Sequence, residues 1–290
     1  MSARRLEGAP VAEAIYADLR PRVAALVATG RRPGLGTILV GDDPASAGYV
    51  RRKQERCADL GLASPHQHLP ATATQADLVA AIRAFNGDPA VDAMLVQHPT
   101  PGHLDYEAAL LEVDPEKDAD GLHPLNLGRL ALSMPGPVAC TPAGIEALLA
   151  HHGVAVAGRH VVVLGRGITL GRPLSLVLTQ KRPTANAALT VVHTGVPDWG
   201  VHTRRADIVI AAAGVPGIVR PEHVRPGAAV VGGGATYQGR KVLSDVDESV
   251  AEVAGWVTPR VGGVGPTTVA MLMRNAVEAA ERRVAGSDGA

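Results

Sequence analysis

The run Val161-Val-Val-Leu-Gly165-Arg-Gly167-Ile-Thr-Leu-Gly171-Arg-Pro173 decides the fold. Its apolar, β-branched start reads as a buried strand, the glycines as a tight turn, and the residues from about 170 as the opening of a helix. Such a corner leaves helix N-terminal N–H groups free for a phosphate, and glycine lets the backbone come close to it. The spacing is G-x-G-x-x-x-G, one residue longer than the usual NAD form. NAD sites place an Asp or Glu about 20 residues further on for the ribose hydroxyls. Here the next strand ends Val191-Val-His193-Thr194-Gly195 without an acid. Arg166 inside the turn suits a 2′-phosphate, which favours NADP over NAD. The same corner also forms where glycines serve close packing alone, so by itself it leaves both readings open.

Working outward, strands and helices alternate along the chain. Residues 11 to 29 carry apolar residues at helical spacing, softly broken at Pro21, and Gly34 to Val40 is a short buried strand ended by Gly41-Asp-Asp-Pro44. Ser46 is placed to cap a helix that runs to Leu60, with Gly61 as its stop. A helix over 75 to 86, a strand over 91 to 96 and a helix from Thr141-Pro142 to His151 follow. Beyond the glycine turn, strands are expected at 188 to 193, 208 to 212 and 228 to 231, and a final helix at 267 to 284. This alternation predicts an α/β fold with parallel sheet covered by helices. The Pro/Gly-rich stretch 133 to 144 is the expected boundary.

Composition narrows the function. The chain has 290 residues, with 28 Lys+Arg against 28 Asp+Glu. A balanced charge gives nucleic acid no electrostatic footing, and seven aromatic residues (one Phe, two Trp, four Tyr) offer few stacking platforms. Two cysteines, Cys57 and Cys140, are too few for a disulfide framework or a cysteine-based zinc site. The charged start lacks the apolar run of a signal peptide, and no window reaches 18 uncharged apolar residues. The expectation is a cytoplasmic protein with neither a membrane nor a nucleic-acid partner. No histidine pair has metal-binding spacing, and no nucleophile elbow is present, so neither metal nor acyl-enzyme chemistry is expected.

Lysine occurs only at 53, 117, 181 and 241, against 24 arginines. Each lysine therefore merits inspection, because lysine titrates near neutrality when buried and arginine does not. Tyr49 and Lys53 share one helical face by their i, i+4 spacing. Gln97 follows the strand at 91 to 96, at the sheet edge where α/β sites collect. The segment Asp114-Pro-Glu-Lys117-Asp118-Ala-Asp120-Gly121 is too turn-rich for a helix face. It is either a solvated loop or the source of a carboxylate that hydrogen-bonds a polar heterocycle.

These segments, in order, resemble the methylenetetrahydrofolate dehydrogenase/methenyltetrahydrofolate cyclohydrolase family along nearly the whole chain. The matching stretches are Leu39-Val-Gly-Asp-Asp-Pro-Ala-Ser46, Tyr49-Val-Arg-Arg-Lys53, Gln97-x-Pro-x-Pro101 and Lys117-Asp-Ala-Asp-Gly121-x-His-Pro124. Asn126-x-Gly-Arg-Leu130, Cys140-Thr-Pro142, Gly165-Arg166 with Gly171-Arg-Pro173, and Gly262-Gly-Val-Gly-Pro266 continue the series. The resemblance implies two α/β domains with the active site in the cleft between them. One is a folate-site domain over 1–140, joined by the C-terminal helix 268–290. The other is a Rossmann-like NAD(P)-binding domain over 141–267.

It also implies oxidation of 5,10-methylenetetrahydrofolate by hydride transfer to NADP, with NAD as the alternative, then hydrolysis of the methenyl form to 10-formyltetrahydrofolate. A homodimer acting on tetrahydrofolate derivatives is implied as well. By the same resemblance Lys53 is catalytic, Tyr49 an active-site and substrate-binding residue, Gln97 the residue that tunes the lysine, and Asp120 the pterin-binding carboxylate. Gly262, Gly263 and Pro266 fall on the substrate side, and Gly165, Arg166, Gly167, Gly171, His193, Thr194 and Ala235 on the cofactor side. A lysine suits this chemistry. Hydride departure leaves a delocalised cation, which a permanently charged arginine opposes and a partly neutral lysine opposes less.

The cofactor side departs from the family's pattern. Gly167 stands where Ser is common, and Thr194-Gly195 replaces a more polar pair. Gly232 stands in place of an acid, and Arg260 adds a cation beside Gly262-Gly263. These changes leave room for an altered cofactor preference, for a cyclohydrolase with weakened dehydrogenase activity, or for a non-catalytic folate-binding relative.

Overall fold

The computed structural model describes residues 2–238 and 241–287, with the side chains of Ala235, Tyr237, Lys241 and Ser287 outside that description. The chain divides into two compact units. One holds residues up to Glu13 together with Ala139–Met271, and the other holds Ala14–Val138 with Leu272 onward. The chain passes between them within helix α1 (Gly8–Ala28), at Val138–Ala139 and within helix α9 (Val264–Ser287).

In the Ala14–Val138 unit, β2 (Leu35–Val40) lies between β3 (His66–Leu69) and β4 (Ala93–Val96), and both pairings are parallel. Every residue of β2 and β4 is buried, as expected for strands covered on both faces. Helices α2 (Pro44–Leu60) and α3 (Gln75–Gly87) make the crossovers, and the short helices α4 (Tyr106–Leu111) and α5 (Pro124–Ala131) follow β4. The core gathers Ile38, Val40, Leu78, Ile82, Phe85, Met94 and Val96. The cap of α2 is Asp43, whose carboxylate accepts from Ser46 N, with Pro44 in the first turn. Ser46 therefore lies inside the helix rather than capping it, because Asp-Pro combines a better acceptor with a pre-set first-turn φ. Gly61 ends the helix at φ +81°, as its sequence position predicts.

The other unit is built on a six-stranded parallel sheet. Its strands are β1 (Arg4–Arg5), β5 (His160–Leu164), β6 (Ala188–Val192), β7 (Ile208–Ala211), β8 (Ala229–Gly232) and β11 (Trp256–Val257), in the order β1-β11-β8-β7-β5-β6. Helix α6 (Cys140–His151) precedes β5, α7 (Gly171–Leu178) follows it, and the single turn α8 (Gly200–Thr203) precedes β7. The chain goes from β5 to β6 on one side and returns to β7 on the other. That reversal is the switch point at which doubly wound sheets bind nucleotides. Residues 2 to 13 pack with this unit, where β1 adds to β11 as an edge strand; the family resemblance implies a first domain over 1–140. The final helix starts at Val264, three residues before the expected Thr267. A hairpin of β9 (Ala235–Gln238) and β10 (Lys241–Ser244) had no counterpart in the sequence reading. No described helix is long and apolar enough to cross a membrane.

Candidate active site

Parallel strands β2 and β4 end on the same sheet edge, so the helix after one and the loop after the other meet there. This places Lys53, on α2, against Gln97, the first residue after β4. Lys53 Nζ donates to Gln97 Oε1 at 3.0 Å. Gln97 is buried, and its Nε2 donates to the His98 carbonyl at 2.6 Å. The amide thus has its oxygen committed to the ammonium and its nitrogen to the backbone. Tyr49, half-buried one turn before Lys53, carries the Arg52 guanidinium 4.7 Å from its ring centroid.

The acidic segment is not a solvated loop. Ala119 N donates to Met94 O at 3.0 Å, so residues 118 to 120 run beside β4 and bring Asp120 into the field of Lys53. Burial raises the Asp120 carboxyl above the ordinary range, the Lys53 charge opposes that rise, and Asp118 adds to it. Asp118 itself is a builder: its oxygens accept from Gly121 N, His123 N and Asn126 Nδ2. Lys117, also buried, donates to the carbonyls of Phe85, Asn86 and Asp88 at 2.9, 2.7 and 2.9 Å, closing the C-terminus of α3. Burial pushes the Cys57 thiol up to about 12, so it stays protonated and unreactive at neutral pH.

Two residues outside the expected set stand beside this one. The His98 ring meets Tyr106 edge to face, with centroids 4.8 Å apart and planes at 63°. Burial, Asp120 and Asp118 all raise the Tyr106 phenol. His98 occupies an unspecified position of Gln97-x-Pro-x-Pro101, and Tyr106 lies outside every quoted motif, so no sequence pattern singled them out.

In the other unit the glycine turn after β5 has close-approach geometry. Gly165 sits at φ +129°, and a Cβ there would lie 2.1 Å from Ala212 O. A Cβ on Gly171 would lie 2.3 Å from Gly165 O, whereas Gly167 faces open space. Arg166, Gly167 and Thr194 are exposed, and His193 Nδ1 accepts from Gly195 N at 3.1 Å. These features fit a nucleotide: backbone at Gly165 and Gly171 too close for any Cβ, a helix N-terminus behind it, and an exposed guanidinium for a 2′-phosphate.

At the ends of β7 and β8, buried Asp245 turns Oδ2 to Ala213 N and Gly214 N, and a Cβ on Gly234 would fall 2.1 Å from that oxygen. Ala235 opens β9, and its side chain lies outside the described set. Gly262 takes φ +84° and its carbonyl accepts from Gly8 N, Gly263 is buried, and Pro266 lies in the first turn of α9. The cation of Arg260 is engaged within its own unit, by Glu248 at 3.2 Å and the Val242 carbonyl at 2.8 Å.

A doubly wound nucleotide unit, joined to a second α/β unit that presents Lys, Gln and Asp at its sheet edge, is the architecture of a dinucleotide-dependent enzyme. Residues 6–120 match the catalytic domain of the tetrahydrofolate dehydrogenase/cyclohydrolase family, and residues 139–284 match its NAD(P)-binding domain. The chain belongs to that family. It is 67% identical to the bifunctional protein FolD 1 of Salinispora tropica over 97% of this chain and 92% of that one. It is 62% identical to the bifunctional protein FolD of Syntrophotalea carbinolica over 98% of each chain. Among solved structures, the Trypanosoma brucei methylenetetrahydrofolate dehydrogenase-cyclohydrolase, complexed with NADP and an inhibitor, superposes with a TM-score of 0.91 at 39% identity. That match covers 98% of this chain and 99% of the other.

Proposed function

We propose that the protein oxidises 5,10-methylenetetrahydrofolate to the 5,10-methenyl form with NADP and hydrolyses that form to 10-formyltetrahydrofolate. The observation that carries this reading is the Lys53 Nζ–Gln97 Oε1 hydrogen bond of 3.0 Å with Asp120 in the same field. A binding protein has no use for a lysine held in this way.

Lys53 in its neutral form takes a proton from the water that attacks the methenyl carbon, and returns it as the tetrahedral adduct opens. General acid–base assistance of this kind supplies roughly 10²- to 10⁴-fold. Gln97 orients the amine through a neutral acceptor, adding no charge against the cationic substrate. Asp120 hydrogen-bonds the pterin N–H edge, and Tyr49 packs on the substrate. When bound, the nicotinamide supplies the hydride acceptor. The chain's part on that side is to hold it: Gly165, Gly167 and Gly171 admit the pyrophosphate to the start of α7, and Arg166 with Thr194 meets the 2′-phosphate. His193 shapes that turn, Ala235 follows β8 on the nicotinamide side, and Gly262, Gly263 and Pro266 present backbone to the substrate. The working form is a homodimer, a reading that rests on the family resemblance.

The test is purified protein with 5,10-methylenetetrahydrofolate, following methenyl absorbance with NADP and separately with NAD, then methenyl hydrolysis directly. Lys53→Met should abolish hydrolysis while NADP affinity, read by titration, stays unchanged. Wild-type protein that hydrolyses no methenyl substrate would overturn the reading. Hydrolysis without reduction of either nucleotide would restrict the function to the cyclohydrolase.

A further inference from the structure

The contacts around Lys53 continue outward to a residue that none of the motifs includes. Lys53 Nζ donates to Gln97 Oε1 at 3.0 Å, and Gln97 Nε2 donates to the His98 carbonyl at 2.6 Å. The His98 ring is seated against Tyr106, at 4.8 Å between centroids. Tyr106 in turn packs against the apolar core that holds Ile38, Val40, Leu78 and Phe85.

The middle link is the sensitive one. A glutamine amide is nearly symmetric in shape, and only its hydrogen-bond partners choose between its two orientations. With its nitrogen on the His98 carbonyl, the amide shows oxygen to the ammonium. Turned over, it would show two donors to a donor and an oxygen to an oxygen. The position of the His98 carbonyl therefore decides what Lys53 meets, and the ring pair ties His98 to the core.

We propose that Tyr106 is a positioning residue of the hydrolytic site, acting through its ring on His98, and through the His98 carbonyl and the Gln97 amide on Lys53. This rests on the methenyl-hydrolysing reading above. The ring contact carries the role, so Tyr106→Phe should behave as wild type. Tyr106→Leu, which keeps bulk in the core but loses the flat edge-to-face partner, should lose positioning. The same loss should follow from His98→Ala, which cuts the chain from the other side. His98 is exposed, so its truncation opens no cavity in the core.

Among the groups facing Lys53 are Gln97 from the end of β4, Asp120 from the segment beside it, and Cys57 on its own helix. Losing the Gln97 acceptor removes a contact that favours the ammonium form. The rising limb of kcat against pH should accordingly move to lower pH as its plateau falls.

The experiment measures methenyl hydrolysis by the full chain across pH for wild type, Tyr106→Phe, Tyr106→Leu and His98→Ala. The expected result is a kcat plateau lower by about three- to tenfold in the last two, from the size of an aromatic pair. Their limb should shift in the same direction, with Tyr106→Phe unchanged. Should Tyr106→Leu fail to fold, His98→Ala decides alone. A wild-type plateau and limb in His98→Ala would overturn the proposal. So would a change confined to KM, which would make His98 a substrate contact instead. An inactive wild type would overturn the activity reading itself, so the two failures are separable.

Discussion

Replacing Lys117 by methionine should markedly destabilise the protein. The ammonium, 6% exposed as a residue, ends on the carbonyls of Phe85, Asn86 and Asp88 at 2.9, 2.7 and 2.9 Å. These are among the last carbonyls of α3, which lack partners within the helix and sit at its negative dipole end. Hydrogen bonds to a charged group contribute about 1.5–3 kcal/mol each, and desolvating the ammonium offsets a large part of their sum. Methionine keeps the stem and its packing but takes the donor from the Phe85 and Asn86 carbonyls, while the Asp88 carbonyl keeps Val91 N at 3.2 Å. The Phe85 carbonyl is buried and pays in full, while the other two are partly exposed to water.

The net loss works out at about 3 kcal/mol, which for a chain of this size lowers Tm by roughly 6–12 °C. Lys117→Arg should recover little of it, because a planar fork cannot converge on three oxygens as an ammonium does. The assay is urea unfolding of all three proteins, reading the midpoint at constant slope. A Lys117→Met midpoint within about 0.5 kcal/mol of wild type would mean that desolvation cancels the three bonds, and the reasoning would fail.

Four further outcomes follow from single contacts. Gly165→Ala should cost at least about 2 kcal/mol and most of the NADP affinity, from its φ of +129° and a Cβ 2.1 Å from Ala212 O; a titration matching wild type would refute it. Gly232→Asp should be destabilising because its Cβ would lie 2.5 Å from Ser244 Oγ, and Ser244→Gly in the same chain should relieve it. The double-mutant cycle should give a coupling of about 1–2 kcal/mol, and strict additivity would rule the clash out. Arg260→Ala should change stability by no more than about 0.5–1 kcal/mol, since both it and Glu248 are largely exposed. Asp120→Asn should stabilise increasingly with pH. The folded-state pKa of Asp120 is raised above 3.8, so the folded chain keeps a proton that the unfolded chain has released, and ionisation subtracts stability as pH climbs through the folded value. Urea midpoints from pH 4 to 7 should therefore diverge between variant and wild type, and parallel curves would contradict the assignment.

The parts of the fold legible in the sequence are those whose burial is two-sided. Val161–Leu164, Ile208–Ala211 and Ala93–Val96 are wholly buried strands, and uninterrupted apolar runs announce them. β3 escaped because His66-Gln-His-Leu69 alternates between exposed and half-buried residues and carries no apolar face. The β9–β10 hairpin escaped because Gly232-Gly-Gly234 reads as loop, although Gly234 is glycine for a reason no local pattern reveals: the Asp245 carboxyl occupies the place of its Cβ. Arg260 looked like a cation for the site and is instead held by Glu248 and the Val242 carbonyl. The family resemblance named Lys53, Gln97 and Asp120, and the fold brings these three together. The path by which Tyr106 reaches them was not legible, because it runs through a ring contact and a backbone carbonyl, which leave no spacing in a sequence.

The scarcity of lysine in an arginine-rich chain acquires a physical meaning at two positions. At Lys117 three carbonyl oxygens converge on one point, a geometry that suits a compact ammonium with three rotatable donors and not a rigid fork. At Lys53 the proposed function sets a different requirement: a general base beside a cationic substrate has to give up its proton, which a guanidinium does not do. On that reading the same residue type serves shape in one place and proton transfer in the other. The two demands separate by experiment, since arginine at 117 should leave hydrolysis by the folded fraction in place, whereas arginine at 53 should leave the fold and remove hydrolysis.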